Sequence, residues 1–337
     1  MLKIFTCLSF LLISFTSCKK DKEQPGLTDD PPFTRSETPV YESPIGLAAD
    51  ASVLKSGDTL FMYYSAEDGI GLVISMDDGQ TWNTPDGNTQ TDFISLGRRP
   101  NDWDNTLETV EVLKVQGEYK MYFSGYREGE ADNSHVENYE IGLATSTDGI
   151  NFTRVTESLN QPILARDTSN ANTFDRHGMT SPGIVYEGGT YYMIYAGWNV
   201  TDNWTGPNAG IRIMGATSTD GINWTKIASP LIEGKEVSYS PDINEASLLK
   251  GSDGYWYIPF STDMSIGIAR TMDFFGTWDI FPEAIVSPEY DWDSEVTAPD
   301  GFVDNGKIRL WFHGVKAPLY WPWVIGYTEA DFPLDWK

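Results

Sequence analysis

A chain of 337 residues that carries 49 acidic and 23 basic side chains has a formal charge of −26. A surface of that sign repels phosphate backbones and excludes nucleic acid as a partner. Hydrophobic residues at 40 % and aromatics at 13 %, beside 31 glycines and 19 prolines, describe a turn-rich, core-forming globular protein rather than a disordered or fibrous one.

At the N-terminus, Lys3 precedes a mostly apolar run from Ile4 to Phe15 that is too short to span a bilayer and has the make-up of a signal peptide. The segment Phe15-Thr16-Ser17-Cys18 resembles the lipobox of bacterial lipoproteins, which implies cleavage after residue 17, a lipid anchor on Cys18 and export to the cell envelope, with the outer membrane as the expected address. A plain secretory signal with a chance cysteine is the alternative. Cys7 falls in the removed segment, so the mature chain has no disulfide, no cysteine metal site and no thiol nucleophile. Residues 18–38 read as a polar, Pro-containing tether without periodicity, and 39–337 as one folded domain.

That domain repeats itself, and the repeat predicts the fold. Five segments alternate aromatic and apolar residues with period two, as strands do: Leu60–Ser65, Tyr119–Ser124, Tyr191–Ala196, Tyr255–Ser261 and Ile308–His313. Each is followed by a strand rich in small residues, such as Gly142-Leu143-Ala144-Thr145-Ser146, whose small side chains are expected to let neighbouring sheets approach. Three copies then run into an acidic turn and an aromatic, Ser75 to Trp82, Ser146 to Phe152 and Ser218 to Trp224, in which the Asp residues read as structural and the ring as a plug between sheets. Another strand precedes each aromatic one. Five such units of about 50 to 70 residues make an all-β, five-bladed β-propeller.

In a propeller the innermost strand of every blade starts beside the axis on one face, so aligned strand starts converge on one funnel. The aligned column reads Asp50, Glu108, Thr180, Glu245 and Thr297. Three carboxylates at one mouth repel one another and lose water, which raises at least one pKa. Such acids either solvate an open channel or work as a pair, one protonating a leaving oxygen while the other activates water or attacks carbon, as glycoside hydrolysis requires.

The repeat from Ser181-Pro182-Gly183 through Tyr191–Gly197 to Ala216–Trp224 resembles the five-bladed glycosidase superfamily of arabinanases, levansucrases and invertases, including glycoside hydrolase families 43 and 32, over residues from about 40 to 337. The resemblance implies a general base at Asp50, a second-blade carboxylate that tunes pKa at Glu108, and an acid on the third blade. Thr180 holds that third place and cannot give a proton. In a five-fold ring blade four lies as far from blade one as blade three does, so Glu245 can replace the missing acid. The resemblance also implies inversion at the anomeric carbon.

His177 and Arg176, just before the third inner strand, are candidates for binding sugar hydroxyls, with Thr180 and Thr297 beside them. His177 could alternatively be the acid, or a packed loop residue. Arg176 ranks above Asp175, which recurs with Asp104 and Asp293 as a structural feature. His313 is read as a ligand of a central cation such as calcium, as an acid, or as plain packing, and no cofactor is required for the chemistry. Most aromatics are core, whereas Trp198, Trp204, Trp321 and Trp323 are candidates for a sugar-contacting rim, Trp198 foremost. The expected partner is an oligo- or polysaccharide. A noncatalytic glycan-binding lipoprotein of the same fold is the competing reading; a sialidase lacks support, because the copies number five and no arginine cluster is present.

Overall fold

The structure is a computed structural model, and it describes residues 33–127, 138–170, 172–199, 210–240, 243–316 and 321–336. Five antiparallel sheets succeed one another along the chain, and their inner strands neighbour each other in a closed ring. Blade one runs outward from the axis as Ala49–Ser56, Thr59–Ala66, Gly69–Ser75 and Ile94–Gly97. Blade two repeats this with Thr106–Val115, Glu118–Tyr126, Glu140–Ser146 and Thr153–Arg154, and blade three with Gly178–Glu187, Thr190–Trp198, Ile211–Ser218 and Thr225–Lys226. In blade four, Leu249–Lys250 pairs with Trp256–Ser261, followed by Ile266–Thr271 and Asp279–Ile280.

Blade five borrows its outer strand from the other end of the chain. Glu295–Asp304, Lys307–Val315 and Trp323–Asp331 are completed by Thr34–Arg35, which pairs antiparallel with the last of them. Phe33 is buried in the seam of blades four and five. The folded domain therefore includes residues 33–38, which sequence reading assigned to the tether. A two-residue strand is too short to show a period, and that is why it escaped notice. The leader and the lipidation site Cys18 lie outside the described residues, as does Trp204.

The core lies in the seams between blades rather than inside any one of them. Each of five apolar clusters joins two neighbours, for example Phe61, Tyr63 and Leu72 of blade one with Val112, Met121 and Phe123 of blade two. The acidic turns serve these seams. Ser146 Oγ donates to Asp148 Oδ1 at 2.7 Å, the same carboxylate accepts the N–H groups of Ile150 and Asn151, and these bonds pull the Asp148 pKa down to about 2. The turn aromatic then meets a ring of the preceding blade edge-on, Phe152 against Tyr63 at 5.7 Å and Trp224 against Tyr122 at 5.8 Å. The small residues of the third strands do something other than bring sheets together. Gly142 is where the Phe123 ring of the same blade lies, and a Cβ there would fall 2.3 Å from Phe123 Cζ.

Candidate active site

Strand pairing fixes which residues are equivalent at the axis. Glu108 pairs with Ser124, Thr180 with Ala196 and Thr297 with His313, while Ser261 donates its N–H to the Glu245 carbonyl. In blade one the residue opposite Ser65 is Ala49, not Asp50. The column read from sequence is therefore displaced by one residue in blade one, where Asp50 occupies the β-bulge that follows the column position. Inner strands one, two, three and five each carry an extra residue at this point, and Asp50, Thr109, Ser181 and Ala298 sit there with φ of 50°, 40°, 54° and 49°. A left-handed conformation is costly for a residue with a Cβ and is held here by the ring of neighbours.

The bulges lock the ring together. Thr109 donates its N–H to Ser65 Oγ at 2.9 Å, Ser181 to Ser124 Oγ at 3.1 Å and Ala298 to Ser261 Oγ at 2.7 Å, each across a blade boundary. At the boundary of blades three and four, Ala196 has no hydroxyl and the blade-four strand has no bulge, so donor geometry and acceptor are lost together. Gly183 replaces the lock by close approach, since a Cβ there would sit 2.7 Å from Leu248 N.

At the boundary of blades five and one the acceptor place is taken by His313, and here the ring turns into a site. Asp50 Oδ1 lies 3.1 Å from His313 Nδ1, and Ser65 Oγ donates to Asp50 Oδ2 at 2.9 Å. The His313 ring stacks on Trp323 at 5.2 Å between centroids. Burial works against an imidazolium, but the hydrogen bond and charge of Asp50, with Glu245 and Glu295 beyond, outweigh it and raise the His313 pKa. In its protonated form the ring donates from Nδ1 to Asp50 Oδ1.

Glu245 faces this pair from blade four. Thr297 Oγ1 donates to Glu245 Oε2 at 2.5 Å, and Ser261 Oγ approaches the same oxygen at 3.4 Å. Burial first, and then the negative charge of Asp50, push the Glu245 pKa up to about 7, against the opposing effects of His313 and the Thr297 hydroxyl. Glu295, two residues before Thr297 and pointing to the same side of the strand, is also raised by burial. Sequence reasoning passed over Glu295, although its period-two relation to Thr297 was visible.

A second acidic pair lies further in. Glu111 of blade two and Asp300 of blade five are hydrogen-bonded to each other, and burial raises both pKa values, that of Asp300 to about 7. Asp300 Oδ2 also accepts the Val53 N–H at 2.7 Å, which ties blade one to blade five. The axial cavity between them, about 30 Å³, is lined by Asp50, Thr109, Glu111, Ser181, Glu245 and Asp300 among others and has room for roughly one water.

The structure brings Asp50, Glu245, Thr297 and His313 into one contact set across blades one, four and five. Glu108, on the inner strand of blade two, accepts a hydrogen bond from Tyr139 Oη at 2.7 Å. The remaining residues named from sequence are placed differently. Trp198 is 2 % exposed, packed on Gly178 and edge-on to Tyr139, so it offers no face to a sugar and the expectation of a rim contact is corrected. Thr180 is buried, with its hydroxyl 2.9 Å from Thr109 Oγ1 and 3.0 Å from Ser124 Oγ, where it joins blades. Thr297 orients Glu245 instead of reaching outward. Arg176 donates to the Thr168 carbonyl at 2.7 Å and braces that loop, and His177 is buried below it with its N–H on the Trp198 carbonyl. Asp175 is bound by Lys226 and Tyr195, Asp104 by Arg99 and Arg154, and Asp293 by Arg35, which makes these acids blade braces.

A central cation such as calcium is one of the three readings of His313. Its Nδ1 is engaged by Asp50, and among the described residues no three His, Cys, Asp or Glu side chains are grouped to hold a metal ion. The donors present do not fit a directly coordinated cation.

Comparison with known proteins bears on the fold. The chain is similar to the crystal structure of a thermostable family-43 glycoside hydrolase, with a TM-score of 0.60 and 17 % identity over 83 % of this chain and 88 % of that one. Similar values relate it to two proteins of Bacteroides thetaiotaomicron, an endo-arabinase (TM-score 0.61, 14 % identity, 88 % and 98 % covered) and an endo-1,4-β-xylanase (0.59, 17 %, 87 % and 92 %). At these identities the likeness establishes the five-bladed propeller. By sequence, 105 residues are 33 % identical to a 1,2-β-oligomannan phosphorylase of Thermoanaerobacter, and 213 residues are 25 % identical to an uncharacterised protein of Mycobacterium tuberculosis. The chain thus spans 30 % of the length of the first relative and 60 % of the second. No family model matches the chain.

Proposed function

We propose that the protein is a glycoside hydrolase in which Glu245 protonates the leaving oxygen and Asp50 is the carboxylate base that activates water. The observation that carries this reading is a pair of acids at one axial mouth in different surroundings. Asp50 contacts Ser65 Oγ and His313 Nδ1, whereas burial and the charge of Asp50 push the Glu245 pKa up to about 7, so Glu245 keeps its proton to higher pH than an ordinary carboxyl does. Environments that push two carboxyl groups apart define an acid and a base. Glu295 of blade five adds negative charge that favours the protonated form of Glu245.

Water rather than phosphate is the acceptor in this reading. The charge of Asp50, which helps raise the Glu245 pKa, faces the mouth, and a phosphate anion would enter against it. Inversion is the stereochemical course that the resemblance of the repeats to family 43 supports. The run from Ile4 to Phe15 and the residues before Cys18 support export and lipid anchoring at the envelope, which brings the site to glycans outside the cell.

The test is hydrolysis of arabinan, xylan and β-1,2-mannan oligosaccharides with and without inorganic phosphate, beside Asp50→Asn and Glu245→Gln. Release of free sugar by the wild type, its loss in both variants and retained glycan affinity in Asp50→Asn are the expected results. Glycan affinity without turnover in the wild type would replace the proposal by a binding protein, a reading that the threonine at position 180 favours. Phosphate-dependent release would make the enzyme a phosphorylase.

A further inference from the structure

Among the described tryptophans, Trp321 alone is exposed, at 48 %. Its indole is nevertheless fixed. It lies against the backbone of Gly46, where a Cβ would fall 2.9 Å from Cζ2 and 3.1 Å from Nε1, and Gly46 has a φ of +78° that suits glycine. Trp323 donates its N–H to the Gly46 carbonyl at 2.9 Å, and Ala48 donates to the Trp323 carbonyl at 3.2 Å, so the two segments are stapled together. Ile45, 39 % exposed, is the next residue along. Ring and side chain are both apolar and both open to solvent.

The position of this feature decides its use. Trp323 pairs with Val315 and Val315 with Glu295, which sets Trp321 at the end of blade five where the inner strands begin. The indole of Trp323 stacks on His313, and His313 bonds Asp50. Gly46 precedes Asp50 by four residues, at most about 14 Å of chain. A sugar presents apolar C–H faces and hydroxyl edges, and an indole braced on one side and wet on the other matches such a face while tolerating water at its rim.

We propose that Trp321, seated on Gly46, is the stacking platform of a subsite for a neutral oligosaccharide, one that extends the cleft outward from Asp50 and Glu245. The inference rests on the glycan-cleaving reading above and names where a sugar unit beyond the cleaved bond is held. The carboxylates around the mouth disfavour uronic acids at this place.

Length series of arabino-, xylo- and β-1,2-manno-oligosaccharides are titrated into Asp50→Asn protein, with binding followed by calorimetry and tryptophan fluorescence. Adding Trp321→Ala is expected to weaken the longest bound oligosaccharide about tenfold and the shortest hardly at all, and Trp321→Phe to restore most of the loss. In otherwise wild-type enzyme the same substitution raises KM on long substrates with kcat nearly unchanged. Equal affinities with and without the indole would overturn the platform and leave the hydrolase reading intact. Loss of affinity on Trp321→Ala in a protein whose wild type cleaves nothing would keep the platform and remove the hydrolase. Absence of binding by every series removes both.

Discussion

His313 Nδ1 and Asp50 Oδ1 meet at 3.1 Å although 263 residues separate them in the chain, and the contact closes the ring between its last and first blades. Elsewhere in the ring that place is filled by Ser65, Ser124 and Ser261, neutral hydroxyls that accept the next blade's N–H. An imidazole there, once protonated, directs a positive charge at a carboxylate. His313→Gln removes that charge and frees the Asp50 side chain to turn, and a misplaced base costs about a hundredfold in kcat. The pH dependence of stability separates charge from packing. A histidine whose folded pKa is raised stabilises fully below its unfolded value near 6.5 and loses that contribution as pH rises through the folded value. The thermal penalty of His313→Gln is therefore larger at pH 5 than at pH 9, and equal penalties at both would show that the ring acts only by packing on Trp323.

Glu245 sets the alkaline side of the activity profile. With a pKa of about 7, the proton needed for leaving-group departure is lost as pH rises through neutrality, so kcat/KM falls there. Glu245→Gln lowers kcat by roughly 10²- to 10⁴-fold and abolishes that limb. Linkage gives the opposite sign for stability. A carboxyl whose folded pKa lies above its unfolded 4.5 holds its proton more tightly when folded, and so costs stability as pH rises from 4.5 to 7. The inactive variant should thus gain on the wild type in melting temperature at pH 8 relative to pH 4, and an unchanged difference would place the titration on another group.

Thr297 tunes this acid. Its hydroxyl donates to Glu245 Oε2 and so favours the anion, lowering the pKa from where burial alone would set it. Thr297→Val keeps the shape and deletes the donor. The alkaline limb then moves to higher pH while KM stays close to that of the wild type, which a pH series of kcat/KM reads directly. A limb that does not move would mean the hydroxyl serves only Ser261, its other partner at 2.7 Å.

The fold was legible because propeller strands advertise themselves. Aromatic residues with period two at Leu60–Ser65 and its four counterparts could form nothing but buried strands, and the Ser-Asp turns marked where each unit ends. The site was legible only in part. Register across a strand pair has no signature in composition, so Asp50 and Glu108 look equivalent in sequence while pairing shows Ala49 in the place of Glu108 and Asp50 at the bulge beside Thr109. Trp198 shows the limit of inferring exposure from a strand end, because neighbouring loops can cover it. Glu111 and Asp300 were passed over for a different reason. A carboxyl side chain on an inner strand is an asset only if its partner faces it across the axis, and sequence does not reveal such facing.

That inner pair carries a stability prediction. Asp300 accepts the Val53 N–H and shares a hydrogen bond with Glu111, and both acids are raised by burial. Asp300→Ala leaves a buried backbone donor of blade one without its acceptor, a loss of about 1 to 3 kcal/mol in chemical denaturation. Asp300→Asn retains a carbonyl oxygen for Val53 and cannot ionise, so it should recover most of that loss. If the two substitutions proved equally harmful, the bond to Val53 would not be the source of the effect.

The clasp at the N-terminus makes the strongest mechanical claim on the fold. Arg35 is an outer-strand residue from the start of the chain, yet its guanidinium binds Asp293 of the last blade and lies over the rings of Tyr290, Trp292 and Phe312 at 5.1, 5.6 and 5.3 Å. The Asp293 side chain is fully buried and that of Arg35 is 9 % exposed. Removing one partner of a buried pair strands the other, and Arg35→Ala should cost about 3 to 5 kcal/mol. Arg98 supplies the contrast, since its pair with Asp68 lies in solvent and Arg98→Ala should cost less than about 1 kcal/mol. Urea unfolding of the two variants measures both. A small effect at Arg35 would mean that seam packing between blades four and five closes the ring without the clasp, and that residues 33–38 merely decorate it.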